Sequence, residues 1–225
     1  MKILGIETSS PIFSLCLNDD ETVLYEYSRR REVDRYGDVE IFNEARKILD
    51  SVADGELGAI AVSIGPGNFT SLRVGLTLAK GLAFVKEIPV VAVNSLDVIG
   101  LLSSLPDLHT VAVVNAYRGE IYASVYDSGK RVSDYLLTTA AELIQMIGDG
   151  AVIVGPGIDI IAEIQPRPNG IVFKRDERYL LHAPRVVSAA LPRIRNRDFD
   201  NIEFLEPFYI KKTDAERNYD KGNAS

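Results

Sequence analysis

Between Ile60 and Ala83 the chain reads IAVSIGPGNFTSLRVGLTLAKGLA, and this stretch limits the fold more than any other. Ile60 to Ile64 is a short apolar run that reads as a buried strand. Gly65-Pro66-Gly67-Asn68 breaks it, since glycine tolerates positive φ, proline fixes its own, and asparagine bonds its own backbone. A helix is predicted from about Ser71 to Val85, capped by Thr70 or Ser71. It carries Leu72, Gly75, Leu76, Ala79, Leu82 and Ala83 at helical spacing. A glycine inside a helix costs about 1 kcal/mol relative to alanine, so Gly75 and Gly81 call for a reason. Close approach of another backbone is the simplest, whether of the chain's own sheet or of a partner. Strand, glycine turn and helix also aim backbone N–H groups at one point, which suits an anion. No GxxxxGK[ST] phosphate loop is present.

With 225 residues, the chain can form one large domain or two lobes and bury well over half of its unfolded surface. A net charge of −7 argues against this chain alone as the main RNA-binding surface, which needs clustered lysine and arginine. The single cysteine, Cys16, excludes an internal disulfide, fits a reducing compartment and sits in an apolar strand pattern as a core residue would. The N-terminus does not read as a signal peptide, and no apolar run reaches the roughly 20 residues of a membrane helix. A cytoplasmic chain without membrane contact is expected.

Lys2–Ile6, Ile12–Leu17 and Thr22–Tyr27 read as an antiparallel meander. Val39 to Val52 has a helical period. The strand and helix described above follow, then a strand at Pro89–Val93 and a helix at Leu96–Leu102. The order β-β-β-α-β-α repeats approximately after Ser104. Val111–Asn115, Ile121–Tyr126 and Val132–Leu137 are strand-like, and Thr139-Ala140-Ala141-Glu142 opens a helix with a capping box. Val152–Val154 ends in Gly155-Pro156-Gly157, an echo of Gly65-Pro66-Gly67. The expected division is a first lobe over 1–103, a smaller, reduced second lobe over 104–213, and a disordered tail over 214–225.

The stretch GPGNFTSLRVGLTLAKGLAF resembles the signature of the TsaB (YeaZ) family, usually GPGSFTGLRIG followed by an alanine-rich helix. Ile3-Leu4-Gly5-Ile6-Glu7-Thr8-Ser9 resembles the family's ILAIDTS opening. Asn115-Ala116-Tyr117-Arg118-Gly119-Glu120-Ile121-Tyr122 is similar to DARRGEVY, and Glu206-Pro207-Phe208-Tyr209-Ile210-Lys211 to EPxYLR. The resemblance implies an α/β fold of the actin-like, sugar-kinase and heat-shock ATPase superfamily (ASKHA). It also implies a role without chemistry of its own: a scaffold that pairs with TsaD, with TsaE joining as an ATPase, while threonylcarbamoyl is placed on the adenosine next to the anticodon of tRNA. The tRNA would be reached through the complex, and the chain alone would form a homodimer. The interface implied for the two helices is Val39, Phe42, Arg46, Leu72, Gly75, Leu76, Ala79, Lys80 and Ala83. The stretch Glu32 to Asp38 departs from the family pattern before the first of these helices.

Catalytic groups are sparse. His109 and His182 are isolated, so neither a metal site nor a Ser-His-Asp arrangement can be drawn, and TsaD's paired-histidine metal site has no counterpart. Residual phosphate binding is confined to Glu7, Thr8 and Ser9 with Gly65 and Gly67. There, Glu7 stands where the family has aspartate and Pro11 stiffens the hairpin. A strand end with a solvated carboxylate is the plainer reading. Asn115 cannot serve as a general base. Arg118 and Glu120 flank Gly119, with an ion pair or backbone bond as the first expectation. No cofactor is expected beyond weak nucleotide binding at the partner interface. The competing reading is a stand-alone small-molecule kinase or ATPase of the same fold.

Overall fold

The computed structural model describes residues 1–30, 37–101, 108–175 and 180–210, except for the side chains of 37–39. The expected tail over 214–225 and residues 32–36 of the divergent stretch lie outside them. The N-terminal alternation forms β1 (Lys2–Glu7) and β2 (Ile12–Asp19), paired antiparallel, and β3 (Thr22–Arg30) extends the meander. Next come α1 (Gly37–Asp50), β4 (Leu57–Gly65), α2 (Phe69–Lys86), β5 (Val90–Asn94) and α3 (Ser95–Leu101). β4 and β5 run parallel to β1, which gives the sheet order β3-β2-β1-β4-β5. β1 and β4 are near-continuous apolar runs because helices cover both faces of the sheet.

The second half repeats this plan with shorter pieces. β6 (His109–Tyr117) and β7 (Glu120–Asp127) form the hairpin. β8 (Lys130–Arg131), β9 (Leu136–Thr139), α4 (Ala140–Ile147), β10 (Ala151–Val154), α5 (Ile158–Ala162) and β11 (Val172–Lys174) complete it. The order is β11-β10-β6-β7-β8, with β9 also on β7 and with β10 parallel to β6 and β11. The strand expected over Val132–Leu137 is split. Ser133 Oγ accepts from Val125 N at 2.9 Å, so a side chain replaces the ladder there. The capping box at Thr139 and Glu142 is fully formed. The helix that the sequence places from Ser71 starts earlier, at Phe69, because Asn68 is the cap: its Oδ1 accepts from Ser71 N at 3.0 Å.

A helix not anticipated from the sequence, α6 (Ala183–Arg195), returns to the first sheet. It packs on β1, β2, β4, β5 and α3, so the segment 183–195 belongs with the first sheet although it follows the second in sequence. Ala183 N donates to Ser14 Oγ at 2.8 Å, and the Arg193 guanidinium reaches Asp198, Asp200 and the Ala92 carbonyl. Gly5 makes the crossing fit, since a Cβ there would stand 2.5 Å from Cys16 Sγ and 2.8 Å from the Ala183 carbonyl oxygen. Burial pushes the Cys16 thiol well up, so this sulfur packs rather than reacts.

The result is five layers. α1 and α2 cover the outer face of the first sheet, α3 and α6 fill the space between the sheets, and α4 and α5 cover the second. Asp97 of α3 ties the middle layer to the second sheet: it accepts from Tyr126 at 2.7 Å and from Tyr135 at 2.6 Å. Asp97→Ala strands a buried Tyr126 hydroxyl and is expected to cost about 1–3 kcal/mol, read as a lower urea midpoint with an unchanged slope.

Candidate functional site

The corner where β1, β4 and β5 end is where an open α/β sheet ordinarily takes its ligand. Here it is filled by protein. Glu7 is 0% exposed, which corrects the expectation of a solvated carboxylate at this strand end. Its Oε1 accepts from Ser9 N at 2.6 Å and Ser9 Oγ at 2.5 Å. Ser95 Oγ donates to Ser9 Oγ at 2.9 Å and lies 2.8 Å from Ser63 Oγ, so the ends of β1, β4 and β5 share one buried chain of hydroxyls. Glu7 Oε2 and Thr8 Oγ1 have no hydrogen-bond partner among the described residues. Burial pushes the Glu7 carboxyl up, with Ser9's donors pulling the other way.

The glycine loop closes over the same corner instead of opening toward an anion. Gly65 takes φ +102°, and Asn68 N donates to the Ser9 carbonyl at 2.8 Å. A Cβ on Gly67 would fall 2.2 Å from that carbonyl oxygen. Gly65, Gly67, Thr8 and Ser9 therefore do come together, but as a packed plug. The segment 205–210 seals it from outside. Phe208 N donates to the Ile64 carbonyl at 2.8 Å and its ring meets Tyr135 of the second lobe at 5.1 Å. Tyr209 meets Phe69 at 5.0 Å and accepts from Arg73 Nε at 3.1 Å. Sequence similarity marked this C-terminal motif without showing that it spans both lobes.

The two helices lie on one face of the first sheet, and the α2 residues named for the interface point inward from it. Leu72, Gly75, Leu76, Ala79 and Ala83 are buried against the chain's own sheet, so none of the five is available to a partner in this conformation. The physical reason is that small side chains serve a sheet as well as they serve a partner. Lys80 is half-buried and donates to the Leu205 carbonyl at 3.1 Å. Phe42 and Arg46 of α1 are exposed; Val39 lies in its first turn, with its side chain outside the described residues. The outward stripe of α2 is instead Thr70, Arg73, Thr77, Gly81, Phe84 and Val85. Phe84 and Val85 are 76% and 75% exposed. The sequence held a signal for this: Phe84 shares its helical phase with Thr77 and Thr70, not with the buried row.

Elsewhere, the Asn115 side chain accepts from Tyr117 N at 2.6 Å and supports a turn in which Tyr117, Arg118 and Gly119 all have positive φ. His109 begins β6, and His182 precedes α6 with Nδ1 4.0 Å from Glu26. Among the described residues no three His, Cys, Asp or Glu side chains converge as a metal site. No helix among them is long and apolar enough to cross a membrane.

Two lobes with one duplicated sheet order, ligand corner plugged in the first, define a member of the ASKHA class of folds. YeaZ from Pseudomonas aeruginosa shares the fold, with a TM-score of 0.75 at 23% identity over 93% of this chain and 99% of that one. The ethanolamine utilization protein EutJ from Carboxydothermus hydrogenoformans is a more distant likeness, with a TM-score of 0.51 at 12% identity over 85% of this chain and 90% of that one. The family model described as TsaD, tRNA N6-adenosine threonylcarbamoyltransferase, matches residues 40–165. The tRNA threonylcarbamoyladenosine biosynthesis protein TsaB of Bacillus subtilis is 32% identical over 128 residues, which span 56% of this chain and 55% of that relative. Its Escherichia coli namesake is 26% identical over 96% of both chains. The chain belongs to this threonylcarbamoyltransferase-related family, among its TsaB proteins.

Proposed function

We propose that the chain is a non-catalytic scaffold subunit in the threonylcarbamoyl modification of tRNA. In this reading it pairs with TsaD in the cytoplasm, TsaE joins the pair, and tRNA is reached through the partners. Support comes from the relatives, which are named for threonylcarbamoyladenosine biosynthesis. The observation that carries the non-catalytic part is the plugged corner. An acid that positions phosphates must be reachable, and Glu7 is fully buried. This also disfavours the stand-alone kinase.

The partner face in this proposal is the outward side of α1 and α2: Phe42 and Arg46 with Thr77, Gly81, Phe84 and Val85. A buried aromatic anchor at an interface is worth about 2 kcal/mol or more. Phe84→Asp should therefore weaken co-purification with the cognate TsaD about 30-fold or more while the melting temperature of the chain stays within about 2 °C, because the residue makes little contact in the monomer. Undiminished capture of TsaD would reject this face. Light scattering of the same variant reads out a homodimer formed through it when TsaD is absent, and calorimetry with nucleotide reads out weak binding at the joint surface. Transfer of threonylcarbamoyl to unmodified tRNA by the chain alone would reject the scaffold reading itself.

A further inference from the structure

The corner that is plugged in the first lobe is a hollow among the described residues of the second. At the carboxyl ends of β10 and β11 lies a cavity of about 220 Å³, lined by Gly155, Pro156, Ile158, Asp159, Lys174, Arg175 and Leu180. Lys174 pairs in register with Val154, the residue that leads into the Gly155 turn, so the strand ladder itself carries a cation to the mouth. Lys174 is half-buried and has no ion-pair partner among the described residues. Arg175 is paired with Asp159 at 3.2 Å, but that carboxylate is 89% exposed and competes with water for the guanidinium. The turn cannot supply the anion donors. Gly157 N is committed to the Val113 carbonyl at 3.1 Å and Ile158 N to that of Gly155 at 3.3 Å. Lys174 and Arg175, with the single carboxylate of Asp159, share the lining with Ile158, Pro156 and Leu180, so the hollow is amphipathic with an excess of positive charge. Its volume falls short of the roughly 300–1,000 Å³ of drug-sized pockets.

We propose that this second-lobe cavity binds a small oxyanion carrying a compact apolar or planar body, its head held by Lys174 and Arg175 and its body against Ile158, Pro156 and Leu180. The site is separate from the partner face, and it stands or falls without the scaffold reading. A phosphate ester and a carboxylate share the head chemistry, so the experiment uses both. The isotope-labelled full chain is titrated with inorganic phosphate, phenyl phosphate and benzoate at constant ionic strength, and the amide resonances of Gly155, Ile158 and Lys174 are followed. The expected result is saturable shifts confined to this corner, with phenyl phosphate at least fivefold tighter than inorganic phosphate. Lys174→Met should weaken binding about tenfold, and Arg175→Gln, a second variant at an exposed position, should weaken it as well, each without a change in melting temperature. Phenyl phosphate above benzoate assigns the head to a phosphate ester; the reverse assigns it to a carboxylate, and either order supports the site. Shifts that do not saturate, that follow sodium chloride equally well, or that survive both substitutions would overturn it.

Discussion

Gly81→Ala is expected to stabilise the chain by about 0.5–1 kcal/mol, and Gly75→Ala, in the same helix, to destabilise it by about 2–4 kcal/mol. Both substitutions give the same gain in helix propensity, so the difference measures what the new methyl group meets. At position 81 it meets no described atom within 4 Å. At position 75 it would stand 2.2 Å from Thr8 Oγ1, 3.0 Å from Cγ2 and 3.2 Å from Cβ. Thr8 is buried and branched at Cβ, so the contact cannot be relieved by swinging a flexible end. Thr8→Ala should recover most of the loss. It should cost little alone, because the Thr8 hydroxyl it removes has no partner among the described residues. Urea denaturation of the four chains of the Gly75/Thr8 cycle should give a coupling of at least about 1.5 kcal/mol. A neutral Gly75→Ala, or a cycle without coupling, would show that the close approach of α2 to β1 is not what requires glycine. The pair also separates packing from function. If a partner backbone lies along the outward stripe, Gly81→Ala stabilises the monomer yet weakens its capture by TsaD.

What could be read from the sequence was set by local period. The meander of β1 and β2, the strand, loop and helix from Leu57 to Lys86, and the repeat in the second half all follow from alternation, glycine placement and caps. What could not be read depends on parts of the chain far apart in sequence. Ser9, Ser63 and Ser95 form one buried network with Glu7, and no spacing rule joins residues that distant; a strand-end acid taken alone looks solvated. The inward direction of the small-residue row on α2 was illegible for a related reason. Small residues announce a close approach but not to what, and the answer lay in Thr8. α6 has an apolar row at Val186, Val187, Ala190, Leu191 and Ile194, yet its destination, back on the first sheet, is a matter of topology.

Glu7→Gln is expected to stabilise the chain at pH 8 and to leave it nearly unchanged at pH 5. Burial raises the Glu7 carboxyl in the folded state above its ordinary value of about 4.3. The folded protein therefore holds this proton more tightly than the unfolded chain does. Its contribution is present in full below the unfolded value and is lost as pH rises through the folded one. Glutamine keeps the carbonyl that accepts from Ser9 N and Oγ, and it has no charge to bury. The stability gap between variant and parent should widen as pH rises above the ordinary carboxyl value toward the raised value of the folded state. Each kcal/mol corresponds to about 2–4 °C of melting temperature in a chain of this size. Taking the difference at each pH cancels every other titrating group common to the two proteins. Glu7→Ala, by contrast, leaves the Ser9 donors unsatisfied in a cavity and should cost about 1–3 kcal/mol at both pH values. A gap that is flat, or that widens toward low pH, would mean that Glu7 is ionised in the folded state. An ionised Glu7 at the end of β1 is what a phosphate-positioning site requires, so the same melts bear on function. They separate a scaffold whose acid is kept neutral by its surroundings from an enzyme that still uses it.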